Sequence, residues 1–148
     1  MLNQRNVKHS LLITAGISLC LPSGKIFYTT LYCNRSLYST IIKDSTFKVQ
    51  YVVGTLNSKA IQYYYQQKFK AEIELFPKIR IKQAKQLPIL VASLAEQQLI
   101  ITLVEQIRTY KKLTPNKSIE KLEREIDKIV YQLYDLTDAE IKIIEQSI

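Results

Sequence analysis

Glycine is scarce in this chain, with three in 148 residues, beside four prolines and a single histidine. So few glycines leave no loop whose backbone N–H groups could cradle a phosphate, which removes the common nucleotide-binding motifs. His9 alone does not allow a Ser/His/Asp grouping for acyl transfer to be assembled. A metal site lacks ligands as well: the two cysteines, Cys20 and Cys33, stand in separate apolar or polar-neutral runs with no CxxC spacing. Free thiols are the expectation, and these suit a reducing cytoplasm, although the sequence is also compatible with a disulfide.

Acidic residues are sparse in one part of the chain only. Residues 1–92 carry thirteen Lys/Arg against Asp44, Glu72 and Glu74, a net +10, whereas residues 93–148 carry eight basic and ten acidic residues, a net −2. A total of +8 would say little, but its segregation marks the first part as a candidate polyanion surface and the second as a helical scaffold laced with salt bridges. Division of the chain into 1–92 and 93–148 follows from this asymmetry.

Long hydrophobic runs are also absent. Leu11 to Leu21 follows Arg5 and Lys8 and imitates a signal peptide, yet Thr14, Gly16 and Ser18 interrupt it and no A-x-A cleavage site follows. Nothing approaches the ~20 apolar residues of a membrane helix. A soluble, cytoplasmic protein with no membrane partner is expected.

What is present reads first as β-structure. Leu11–Ile13, Ile17–Leu21, Lys25–Tyr32 and Leu37–Ile42 are strand-like, with Pro22-Ser23-Gly24 as a turn. Between Lys25 and Cys33 both alternating faces are fairly apolar, as in a covered central strand. The period then changes. Val49, Val52, Val53, Leu56 and Ala60 predict a helix running to about Phe69, weakened only modestly by Gly54. Tyr63, Tyr64 and Tyr65 point around it, so at least one must be partly exposed. In Lys78-Ile79-Arg80-Ile81-Lys82 apolar and cationic residues alternate; as a strand this places the cations on one face about 6.7 Å apart. That spacing is comparable with successive phosphates, and equally with a solvated edge strand protected by lysine.

The remainder is helical. Ser93 and Glu96 form a capping box, Leu99, Leu103, Ile107 and Tyr110 continue a stripe, and Thr114-Pro115-Asn116 ends it. Ile119, Leu122, Ile126, Ile129 and Leu133 mark the next helix, and Leu136-Thr137-Asp138-Ala139-Glu140-Ile141 combines a capping box with a hydrophobic staple. The two long helices are joined by only a few residues and should pack antiparallel. The fold class expected is therefore α/β (α+β): a small mixed β-sheet with a packed helix, followed by an antiparallel pair of long C-terminal helices.

Three segments carry a resemblance. The tail from Ile126 to Ile141, the helix Tyr51-Val52-Val53-Gly54-Thr55-Leu56-Asn57-Ser58-Lys59-Ala60-Ile61 with Tyr63-Tyr64-Tyr65, and the proline-flanked basic stretch Phe76–Lys82 occur in the order of the TaqI-like specificity domain. That domain ends restriction–modification enzymes that methylate adenine. The junction Leu87-Pro88-Ile89 … Ser93-Leu94-Ala95-Glu96-Gln97-Gln98 is also similar to type I restriction specificity subunits. The resemblance implies a target-recognition domain for double-stranded DNA, its helix with the Asn-Ser pair packed under a recognition sheet. In the family a methyltransferase domain precedes it, and often a nuclease. Here neither an Asn-Pro-Pro-aromatic loop nor a Gly-rich S-adenosylmethionine site is found, and Glu72-Ala-Glu74 with Lys78 is a poor imitation of a nuclease centre. The chain alone is not expected to be an enzyme or to hold a cofactor. S-adenosylmethionine and magnesium are expected only in a partner methyltransferase or endonuclease domain or subunit.

On this reading Lys59, Lys68, Lys70, Lys78, Arg80 and Lys82 are the expected phosphate contacts. Asn34, Arg35 and Tyr38, in a polar break between strands, are chemically suited to base edges, since Arg pairs with guanine and Asn with adenine; an ordinary solvated turn has the same composition. The competing reading is a protein-interaction module that docks a catalytic methyltransferase or nuclease subunit. An enzyme with an unfamiliar site is a third.

Overall fold

A computed structural model describes residues 42, 44–71, 80–114 and 118–148. These form six helices: α1 (Val49–Leu56), α2 (Lys59–Lys68), the single turn α3 (Ile81–Ala84), α4 (Leu94–Leu113), α5 (Glu120–Leu133) and α6 (Asp138–Ser147). No strand occurs among the described residues, so the expected α/β class with a mixed β-sheet is corrected to a helical fold. The segments expected as strands before Ile42 lie outside the described residues. Over Arg80–Lys82 the correction is direct. Gln83 turns its amide oxygen back onto the Arg80 N–H at 2.8 Å, which starts a helix where period-2 alternation suggested a strand. Five alternating residues are too few to fix a period against such a local bond.

A second correction concerns the helix expected from Val49 to Phe69, which breaks at Asn57-Ser58. The Ser58 hydroxyl donates to the Thr55 carbonyl at 2.7 Å, and the Ser58 N–H closes on the same carbonyl. A serine bonding back to the preceding turn competes with helix continuation. It also leaves the first N–H of α2 without a local cap, and the Asp127 carboxylate from α5 accepts that Lys59 N–H at 2.8 Å.

Residues Tyr51 to Leu56 are all buried, so α1 is covered all round, as a helix without a polar face must be. It packs chiefly on α4, α4 packs on α5, and α2 rests on α5 and α6. The Tyr134 hydroxyl at the end of α5 donates to the Pro88 carbonyl just before α4, at 2.6 Å, so the two long helices run antiparallel. One buried cluster runs from Phe47 to Ile144, shared by residues on both sides of position 92.

The core face of α4 differs from the expected stripe. Of the stripe, Leu103 and Ile107 pack half-buried against the core, but the buried positions are Gln97, Ile100 and Val104, whereas Leu99 is 57% exposed and Tyr110 is also exposed. The reason is Gln97, polar by type and yet fully engaged: its amide donates to the Thr46 and Ala92 carbonyls at 2.8 and 3.0 Å and accepts the Lys48 N–H at 3.0 Å. A bonded glutamine takes a core position that a polarity count assigns to solvent. Both capping boxes form, with the Ser93 N–H on Glu96 at 2.7 Å and the Thr137 N–H on Glu140 at 2.9 Å. Between α5 and α6, Asp135 takes a left-handed φ of 50° in a Schellman-type closure, the Leu136 N–H reaching the Tyr131 carbonyl at 3.0 Å. Of the three consecutive tyrosines, Tyr65 is buried while Tyr63 and Tyr64 are half-buried.

Candidate nucleic-acid interface

The end of α2 and the turn α3 are held side by side by one buried polar link. Tyr65 donates its hydroxyl to the Gln83 amide oxygen at 3.2 Å, the same oxygen that receives the Arg80 N–H. Gln83 is 3% exposed. Beyond it, Leu87, Pro88 and Ile89 are buried, and the Tyr51 hydroxyl donates to the Leu90 carbonyl at 3.0 Å. Burial pushes the Tyr51 phenol up to about 12, so it remains a neutral donor. With the stretch from Gln83 to Leu90 anchored at both ends by these bonds, the cations around it are left on the surface.

Arg80, Lys82 and Lys85 are exposed on and around α3, and Lys68 and Lys70 are exposed at the end of α2. No acidic side chain lies among the described residues from 45 to 95. Lys68 is steered by its surroundings: its ammonium donates to the Tyr64 hydroxyl at 2.8 Å and lies 5.2 Å from the Tyr64 ring centre and 5.6 Å from that of Phe69. Thus four of the expected phosphate contacts, Lys68, Lys70, Arg80 and Lys82, leave from adjacent elements. Lys85, which the sequence reading passed over, joins them; its signal was the continuation of the same basic run. Lys78, Asn34, Arg35 and Tyr38 lie outside the described residues.

Lys59 is placed differently. It is half-buried at the start of α2, and its ammonium pairs with Glu145 of α6. The other oxygen of Glu145 accepts the Tyr131 hydroxyl at 2.7 Å. The Lys59 ammonium holds the Glu145 carboxyl below its ordinary range, while burial, and then the bond to Glu145, raise the Tyr131 phenol. Asp127, beside them, is pushed up to about 6 by burial, with the Lys59 N–H and ammonium opposing the shift. This node joins α2, α5 and α6.

A raised carboxyl favours the folded state only while protonated. Its contribution is fully present below about pH 4 and is lost as the pH rises through about 6. Asp127→Asn keeps an oxygen for the Lys59 N–H and removes the charge, so its thermal midpoint should equal or exceed that of the parent at pH 7.5, with the difference gone at pH 4. Asp127→Ala removes the cap as well as the charge, so it should lie about 1 kcal/mol below Asp127→Asn at both pH values. Circular-dichroism melts of the three proteins check this; an Asn variant as unstable as the Ala variant would contradict it.

Among the described residues no three His, Cys, Asp or Glu side chains group to hold a metal, and no helix is long and apolar enough to cross a membrane. No match to the chain is found among curated proteins or among solved structures. A family model does match, and its span takes in the Asn57-Ser58 motif, α1 to α3 and the exposed cations, but not the tail from Ile126 to Ile141. Residues 26–89 match the family model of the TaqI-like C-terminal specificity domain.

Proposed function

We propose that this chain reads DNA sequence as the specificity part of a restriction–modification system, without catalytic motifs of its own, in the cytoplasm beside an adenine methyltransferase and/or endonuclease domain or subunit. The observation that carries this is the overlap of two independent features: the family match over residues 26–89 and the exposed cations of the α2 end and α3, with no acid among the described residues from 45 to 95. That family's role is DNA recognition in restriction–modification. In the proposed division of labour, Lys68, Lys70, Lys78, Arg80 and Lys82 dock on phosphates, and Asn34, Arg35 and Tyr38 read base edges. Lys59 contributes through the joint that orients α2. The catalytic partner supplies S-adenosylmethionine or magnesium chemistry on a flipped adenine.

Three or more phosphate contacts give log K a slope near −3 against log salt, about 60-fold weaker binding between 50 and 200 mM. Fluorescence anisotropy with a labelled duplex should show this steep loss. Undetectable binding at low salt, or binding unchanged by salt, would overturn the proposal.

A further inference from the structure

One surface of the fold is unlike a solvated helix face. The outward side of α4 presents Ala95, Leu99, Thr102, Gln106, Tyr110 and Leu113, flanked by Gln98 and Thr109, all exposed and none charged. At 100° per residue these lie within a sector about 120° wide. Leu99 and Leu113 are 57% and 71% exposed. The neighbouring α5 shows the contrast, its outer face carrying the ion pairs Glu120–Arg124 and Glu125–Lys128. Depletion of charge around exposed Leu and Tyr is the composition of an interface core.

The positions also form a palindrome. Reflected about residue 104, Ala95 maps onto Leu113, Gln98 onto Tyr110, Leu99 onto Thr109 and Thr102 onto Gln106. Each large side chain meets a smaller or polar one. Charge follows the same symmetry at the two ends: the N-terminal end of α4 carries Glu96 and the C-terminal end Lys111 and Lys112, while Glu105 and Arg108 between them pair with each other. A parallel neighbour would oppose like ends, whereas an antiparallel two-fold partner sets the acidic end against the basic end and opposes the helix dipoles. We propose that this face docks a second copy of the chain, α4 against α4 in antiparallel register.

Sedimentation equilibrium of the full chain should give a dimer at micromolar concentrations. Leu99→Lys combined with Leu113→Lys should weaken association at least about tenfold, the loss of roughly one anchoring contact, while its far-ultraviolet circular dichroism stays unchanged. Register is tested by oxidation in a Cys20→Ser, Cys33→Ser background: Thr102→Cys mixed with Gln106→Cys should cross-link in preference to either alone. A chain that stays monomeric at hundred-micromolar concentration overturns the proposal, as does a dimer indifferent to the lysines or a like-with-like cross-link. A monomer whose double-lysine variant melts earlier would assign the face to the chain's own remaining residues. A monomer whose variant loses only a catalytic subunit would assign it to that partner. Either outcome rejects the second copy and leaves the DNA-binding reading to its own salt-dependence test.

Discussion

Gly54→Val should lower the thermal midpoint by about 10 °C or more, although a glycine within a helix is ordinarily a weak point. Replacing an exposed helical glycine by alanine gains about 1 kcal/mol. Here the gain is reversed by packing. A Cβ at position 54 would stand 2.4 Å from Ile100 Cγ2 and 3.0 Å from Val104 Cγ2. Ile100 is fully buried, so its methyl has nowhere to retreat without moving α4. Overpacking of this kind costs about 1–3 kcal/mol, which for alanine leaves a net loss of up to about 2 kcal/mol. Valine adds two carbons to the same clash, and in a domain of this size each kcal/mol moves the midpoint by about 2–4 °C. Ile100→Ala should partly relieve Gly54→Ala, the double variant being less destabilised than the sum of the singles. Additive losses, or a Gly54→Ala protein more stable than the parent, would show that α1 and α4 do not approach this closely.

That close approach was not readable in the sequence, where Gly54 counted only as a propensity cost. What was readable depended on how local the deciding interaction is. The boxes Ser93/Glu96 and Thr137/Glu140 each close within four residues, and both formed as expected. The break at Asn57-Ser58 was hidden because the cap that makes it tolerable, Asp127, arrives from another helix 68 positions along the chain. The core face of α4 is set in a similar way: of the three backbone groups bonded to Gln97, those of Thr46 and Lys48 are brought to it only by the tertiary fold. In Arg80–Lys82 the hydrophobic alternation was real, but a single side chain, Gln83, decided the backbone conformation. The site was legible as composition more than as geometry. Residues 68 to 85 announced themselves as cationic, while the Tyr65–Gln83 link that holds the two cation-bearing elements together gave no signal in the sequence.

Reversing Lys68, Arg80 and Lys82 to glutamate should reduce affinity for duplex DNA by more than about 100-fold at low salt, by equal factors for different sequences. Each lost phosphate contact removes about one unit from the salt slope and each new carboxylate adds repulsion. The three side chains are exposed, so the fold should survive the change. Lys59 is left out on purpose, because its partner Glu145 and the α2–α6 joint would suffer with it. A control of equal charge separates a local surface from the field of a basic protein. Lys121, Lys128 and Lys142 are also exposed, on α5 and α6, and reversing them alters net charge by the same amount. If contact with phosphates is confined to the α2 end and α3, this second triple should bind within about threefold of the parent, allowing for long-range attraction screened beyond roughly 10 Å at 0.1 M salt. Arg35→Ala should behave unlike either, relaxing preference at one base position with little change in the salt slope. Equal losses from the two triples would mean that DNA feels only the total charge of the molecule, and the surface around α3 would then have no claim to be the docking face.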